Sequence, residues 1–415
     1  MTWSIAKKEI LENLTTYRFY VLIGLLCILM IVSIIVSYGD YTLRVENYNI
    51  NRPGKNSANV MIPPTPVSIF AKGVDGSIGK LYYVSTLGIE GQSTDQSVNR
   101  LFSLFTVPDM LFIIKVMLSL ITLLFSFDGI TGEKESGTLK LTLANGSPRT
   151  AVMFGKLLGR FILVFVPFFF LFLVAAVVVS VLPDVEASGY YWWRIAVMVV
   201  VSTVYIAAFT SLGLLLSSLV HRSTTSLSLS LTVWVIFVFV VPQLGSAIAA
   251  SLADVPPGER VEMQKRLASI RAIYERGQRE KAGVREQGRM VREIHDANSQ
   301  VFDSYRPKLN ALVRTTKTIV RLSPSGAITF LLTDAANTGV YEELRFKDAV
   351  RLYVDRNFDV IFELAKGSVD PFHYERSSLA EVLSQEALAD VVVLLVFTLG
   401  SVGLGMGSFL RYDPR

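Results

Sequence analysis

Residues 161–182 read FILVFVPFFFLFLVAAVVVSVL, a run from Phe161 to Leu182 without one charged side chain. A helix needs roughly 20 mostly apolar residues to cross about 30 Å of hydrocarbon, because no water is there to satisfy the backbone. Five further runs meet that length: Phe19–Tyr38, Met110–Phe127, Ile195–Val220, Leu227–Ala250 and Val391–Leu410. Composition agrees. The chain has 415 residues, 51% hydrophobic and 18% charged, against about 25% charged in soluble proteins. Its mean hydropathy is +0.45. The expected class is an all-α integral membrane protein with six transmembrane helices, an N-terminal amphipathic interface helix and a mainly helical external domain between the fifth and sixth spans. The first run is too long for a cleavable signal and lacks a cleavage site.

Charge sets the orientation. Lys7, Lys8 and Arg18 precede the first span. Lys134, Lys140, Arg149, Lys156 and Arg160 follow the second, and Arg411 and Arg415 follow the sixth. In a six-span chain these share one side, whereas the short loop 183–193 carries Asp184 and Glu186. The positive-inside rule predicts a cytoplasmic (inner) membrane protein with both termini in the cytoplasm. Tyr190, Tyr191, Trp192 and Trp193 read as an interfacial aromatic belt. Lys115 and Asp390, near the outer ends of their spans, are expected to snorkel outward. Cys27 is the only cysteine and there are three histidines, so a disulfide or a Cys/His metal cage within the chain is not expected. No chain of intramembrane acids or histidines marks an ion relay, which argues against a secondary transporter. Neither clustered Ser/His/Asp nor paired intramembrane carboxylates suggest a hydrolase, so no catalytic residue is assigned.

The remaining segments divide into an N-terminal stretch (1–18), a first external segment (39–109), a loop (128–160), a large external domain (251–387) and a tail (411–415). The first external segment, with NRPGKNSAN and PPTPVSIFAKG, predicts irregular and short extended structure. In the second, Met263, Leu267, Ile270 and Tyr274 recur at helical spacing, giving an amphipathic helix in a long hairpin arm, where Pro307 should interrupt the helix or start another. Interspersed Glu and Asp make its basic residues a solvated face, not a nucleic-acid surface.

Three features bear on mechanism. Trp3, Ala6, Ile10, Leu14 and Tyr17 form one helical stripe, with Lys7, Lys8, Glu9 and Glu12 opposite, as in a helix lying at the membrane surface. The loop DGITGEKESGTLKLTLANGSPRTAVMFGKLLGR, Asp128 to Arg160, alternates apolar and polar residues through TLKLTLA and turns at NGSP. It can place a short helix on the surface, with Glu133 and Glu135 available to basic residues of a docked partner. The last span holds GSVGLGMGSF, where Gly403 and Gly407 suit close helix packing within the chain or between two copies. The chain itself shows no ATP site. GVDGSIGKL, Gly73 to Leu81, has its first glycine one residue too far away and Leu where Ser or Thr would hold magnesium.

The loop resembles the hallmark of permeases of the type 2 ABC exporter class: an acidic residue, then Glu-x-x-x-Gly-Thr-Leu, a downstream Arg and Gly-Lys. Asp128, Glu133, Gly137, Thr138, Leu139, Arg149, Gly155 and Lys156 match it. LGLLLSSLVHRSTTSLSLSLTVWVIFVFVVPQL is also similar to that family. PVSIFAKG and RLSPSGAITFLLTDAANTGVYEELRFKDAVRLY are similar to a subgroup with a large external insert, related to gliding-motility and nitrous-oxide-reductase-maturation permeases. The family's Gly-Thr motif is represented only by Asn337, Thr338 and Gly339.

The resemblance implies an exporter permease with no cofactor of its own, ATP and magnesium being held by a separate ATPase present in two copies. It implies that Glu133, Glu135, Gly137, Thr138 and Leu139 lie in or beside a coupling helix, and that Trp3, Ile10 and Leu14 belong to an interface helix resting on the ATPase. Other expected partners are a second permease copy or a related permease, an external, periplasmic or lipoprotein factor, and the lipid bilayer. The alternative is a mechanotransmission subunit that moves an external partner while nothing crosses the membrane.

Overall fold

A computed structural model of the chain describes residues 1–51, 59–75, 81–85, 88–92, 109–252, 258–277, 284–362, 371–382 and 387–411. Among them, six helices are long and apolar enough to cross a membrane: Tyr17–Ile50, Met110–Glu135, Arg149–Val181, Gly189–Leu219, Ser223–Leu252 and Leu388–Leu410. These spans, first to sixth, contain the six apolar runs nearly whole and mostly overrun them by one or more turns. Hydropathy marks where a helix meets lipid, while the helix itself continues into water wherever its backbone bonds and packing sustain it. The second and fourth spans are the most enclosed, and the first, fifth and sixth expose most of their surface.

Two spans widen locally into π-helix, Ile113–Leu118 in the second and Ile236–Val240 in the fifth. Such a turn leaves carbonyls short of their ordinary partner. Hydroxyls supply the bonds: Tyr205 and Ser119 both donate to the Lys115 carbonyl, at 2.8 and 2.6 Å, and Ser323 and Ser325 both donate to that of Phe237. Trp234 Nε1 donates to Ser119 Oγ at 2.9 Å, joining the two spans. Pro167 lies within the third span and the helix runs through it.

At the end opposite the N-terminus, the first inter-span segment forms a small antiparallel sheet in the order β1 (Asn59–Val60), β2 (Leu81–Ser85), β3 (Gly88–Gln92). Asn59 pairs with Tyr83, and Leu81 with Gln92. Residues 52–58, 76–80 and 101–106, which hold most of NRPGKNSAN, the second half of GVDGSIGKL and the approach to the second span, lie outside the described residues, as does 412–415 of the tail. Among the described residues the large insert is mainly helical: Gly258–Gly277, Val284–Val320, Pro324–Ala335, Val340–Ile361 and Leu379–Val382. The first two pack side by side as the expected hairpin, but Pro307 does not break the second. The carbonyl it leaves without an N–H belongs to Asp303, which is exposed and can hydrate. Val60 and Ile62 pack with Phe346, Val350, Val354 and Phe358, binding the two inserts together.

Candidate functional site

At the N-terminal end, helix Thr2–Leu14 lies across the start of the third span. Gly155 and Gly159 make that approach possible. A Cβ on Gly155 would lie 2.7 Å from Ile5 Cβ and 2.9 Å from the Thr2 carbonyl, and one on Gly159 2.8 Å from Glu9 Cβ and 2.9 Å from the Ala6 carbonyl. Between and beyond the glycines stand Lys156 and Arg160, at one-turn spacing on the same helix. Lys156 Nζ donates to Glu9 Oε1 at 2.6 Å and is 2.9 Å from Glu133 Oε1. Arg160 donates through Nε to Glu9 Oε2 at 3.0 Å, and through Nη1 to Asp128 Oδ1 at 2.6 Å and to the Phe125 carbonyl. At the rim, Arg18 donates to Asp128 at 3.0 Å and Lys8 lies 3.6 Å from Glu133.

Glu9, Lys156 and Arg160 are 3%, 1% and 6% exposed. Burial pushes the Glu9 carboxyl up, but attraction to Arg160 and Lys156 and the bonds they donate outweigh it and hold it below its ordinary value. The face assignment of the sequence is therefore corrected. Glu9 does not lie on a solvated side; it is the inward anchor, next to buried Ala6, while Trp3 and Tyr17 are exposed and Ile10 and Leu14 only half-buried. Helical spacing put Glu9 three residues from Ala6, on the same face. Paired bases interleaved with paired glycines on the third span were the sequence signal for a carboxylate partner.

The loop itself folds as two short helices, Thr131–Glu135 and Thr138–Ala144, so the alternation in TLKLTLA is helix, not extended chain. Gly137 joins them at φ 74°, a left-handed conformation that a side chain disfavours. The loop and the fourth span cap each other. Ser217 Oγ accepts from the backbone N–H groups of Ile130 and Thr131, both at 3.0 Å, and Lys134 Nζ donates to the Ser218 and Val220 carbonyls at 2.6 and 2.9 Å. Leu139 is fully buried among Ile130, Val152, Met153, Leu214 and Phe409.

Of the residues expected to meet a partner, Glu133 and Leu139 point into the chain. Glu133 is already held by Lys156 and Lys8. Glu135 and Thr138 are exposed, and Glu135 accepts a hydrogen bond from Ser223 Oγ at 2.6 Å. The most prominent outward apolar side chain here is Leu141, 67% exposed, beside exposed Lys140.

Over residues 3–413 the chain matches the family described as ABC-2 family transporter protein. It belongs to that family. The protein is thus a membrane subunit of an ABC transporter. The same likeness extends to the "Probable ABC transporter permease protein NosY" of Stutzerimonas stutzeri, 28% identical over 135 residues, which is 32% of this chain and 49% of that protein. The aligned stretch thus spans about half the length of that curated relative.

In this ABC-2 subunit, Gly403 and Gly407 make no close packing contact within the chain: a Cβ at either would meet nothing within 4 Å. Gly405 between them is the packed one: a Cβ there would lie 2.9 Å from Met153 Cε and 3.4 Å from Leu215 Cα. At the opposite end, Asp390 does not snorkel. It is fully buried, 3.4 Å from Lys317 and 3.3 Å from Arg321, and Lys317 also binds Asp334 at 3.0 Å. Lys115 is half-buried at the π-turn. The aromatic belt divides too: Trp192 and Trp193 are exposed, while Tyr191 is buried and donates to the Ala176 carbonyl.

Two elements read separately in the sequence meet here. Thr338 donates to the Ala71 carbonyl at 2.8 Å, and its own carbonyl accepts from Val74 N–H at 2.8 Å, so PVSIFAKG docks on NTG. Arg194, buried at the start of the fourth span, donates to the Ala335 and Ser377 carbonyls and stacks on Tyr190, 4.2 Å from its ring centre.

Proposed function

We propose that this chain is the permease subunit of an ABC exporter, coupled to ATP hydrolysis on a separate ATPase that docks on the N-terminal, cytoplasmic face. The observation that carries the reading is the buried network around Glu9. It ties the N-terminal helix, the loop helices and the third span into one unit, and the Ser217 cap adds the fourth span. A domain pressed against Leu141, Glu135 and Thr138 therefore cannot displace the loop without moving two spans, which is how a rigid contact transmits a rotation. Leu141 is the apolar knob that an ATPase cleft would enclose, with Lys140 and Glu135 flanking it for charge pairing. ATP and magnesium belong to that partner, and two permease copies, or this one and a related chain, complete the pathway.

The test is co-purification with the cognate ATPase and measurement of its stimulated hydrolysis. Leu141→Glu is expected to lower ATPase capture at least tenfold while leaving the permease as stable as before, since the side chain is exposed. Glu133→Gln should instead leave capture intact and reduce stimulation. Unchanged capture by Leu141→Glu would remove this docking surface.

One observation favours a second reading, in which the insert is moved against an external partner and nothing crosses the membrane. The fourth span, which the loop caps at one end, is bonded at its other end to the insert through Arg194. A density map of the assembled transporter distinguishes the two: a continuous cavity between the spans supports export, a closed apolar seam supports mechanical transmission.

A further inference from the structure

At the N-terminal end the fourth and sixth spans part around a cleft of about 550 Å³. Its floor is the stripe of the sixth span formed by Gly403 and Gly407, with Leu404 exposed beside them. Lys134, His221 and Arg411 also line it, the last two just beyond the ends of the fourth and sixth spans, which makes that end its mouth. Among the described residues that line it there is no carboxylate. From Gly403 to Arg411 a helix rises about 12 Å, which takes the cleft from the acyl region of a bilayer to its headgroups.

We propose that this cleft holds one anionic phospholipid from the leaflet on the N-terminal side. Its phosphate sits against Arg411 and beside His221, in the positive field of Lys134, whose ammonium caps the Ser218 and Val220 carbonyls, and the first methylenes of one acyl chain lie along Gly403, Leu404 and Gly407. Three observations converge on this occupant. The mouth is basic and the floor apolar, which is the polarity of a phospholipid read from headgroup to chain. The glycines leave a flat track, since a Cβ at either would touch nothing of this chain within 4 Å. And the cleft opens beside a span with little enclosed surface. A second copy of the chain packed on the same stripe would bring two basic mouths to one two-fold seam, where like charges repel.

The experiment uses the full chain, with its ATPase where the two co-purify, delipidated in detergent and then exposed to phosphatidylglycerol or phosphatidylcholine. Native mass spectrometry reads retained lipid and oligomeric state together. Wild type should retain phosphatidylglycerol over phosphatidylcholine. Arg411→Glu, at an exposed helix end that leaves the fold alone, should reduce that retention at least roughly fivefold, the factor expected for one basic charge at a membrane surface. Gly403→Leu should reduce retention of both lipids with the oligomeric state unchanged. Equal retention of the two lipids, indifference to both substitutions, or full displacement by inorganic phosphate would overturn the proposal. So would conversion of a dimer to monomer by Gly403→Leu with lipid unaffected, which would make the stripe a subunit contact.

Discussion

The third and sixth spans each carry two glycines four residues apart, and the two pairs live in different surroundings. Gly155 and Gly159 are pressed against the N-terminal helix closely enough that any side chain would collide with its backbone, whereas Gly403 and Gly407 face an open cleft. The spacing is the same, so spacing records only that a helix can be approached. What differs is what stands between the glycines. Lys156 and Arg160 interleave with the first pair and bind a carboxylate carried in by the partner helix. Residues 400–410 hold no charge to fix such a partner. In lipid, small residues permit contact and polar groups select it.

The contrast can be broken most forcefully at Glu9. Replacing it with Leu removes the carboxylate shared by two buried bases, and breaking a buried pair from one side costs about 3–5 kcal/mol. The N-terminal helix should detach, seen as new protease cleavage before the first span and a lower melting temperature in detergent, with Glu9→Asp retaining part of the protection. Wild-type protection in Glu9→Leu would mean that the glycine contact alone holds the helix. Next in size, Gly159→Ala should cost about 1–3 kcal/mol, the range for forcing a methyl into a packed site, while Gly403→Ala, whose methyl meets nothing, should be neutral or stabilising by up to about 1 kcal/mol, the helix preference for Ala over Gly. Equal melting shifts for the two would erase the distinction.

The smallest effect is on pH dependence. Because the folded state holds the Glu9 carboxyl below its ordinary value, its stabilising contribution is complete above the ordinary carboxylate range and is lost only as pH falls toward the depressed value. Protection of the N-terminal helix should be flat from neutral pH to about 5 and decline only below about 4. A loss centred near pH 6 would point to another group.

Much of this was legible in advance. The six spans followed from apolar length, and the loop between the second and third was singled out by Asp128, Glu133, Gly137, Thr138 and Leu139. The direction each residue faces was not legible. Glu133 and Glu135 are two residues apart on one short helix and looked equally available, yet one is held by Lys156 and the other is exposed. Leu139 and Leu141 are likewise alike in type, and only the first reaches the cluster around Leu214 and Phe409. Met263, Leu267, Ile270 and Tyr274 repeat at helical spacing as a buried face would, but all four are exposed within this chain.

The sequence by itself determined membrane residence, the number of crossings and the kinship of the loop, because chain length against bilayer thickness and local composition are properties of contiguous residues. Tertiary structure alone decided which of two glycine pairs is a contact, that Glu9 and Asp390 are buried, and that Thr338 meets Ala71, 267 positions away in the sequence. Those outcomes depend on which surfaces a folded chain brings together. A charge can be buried only where partners from distant segments arrive to neutralise it, and no local pattern records their arrival.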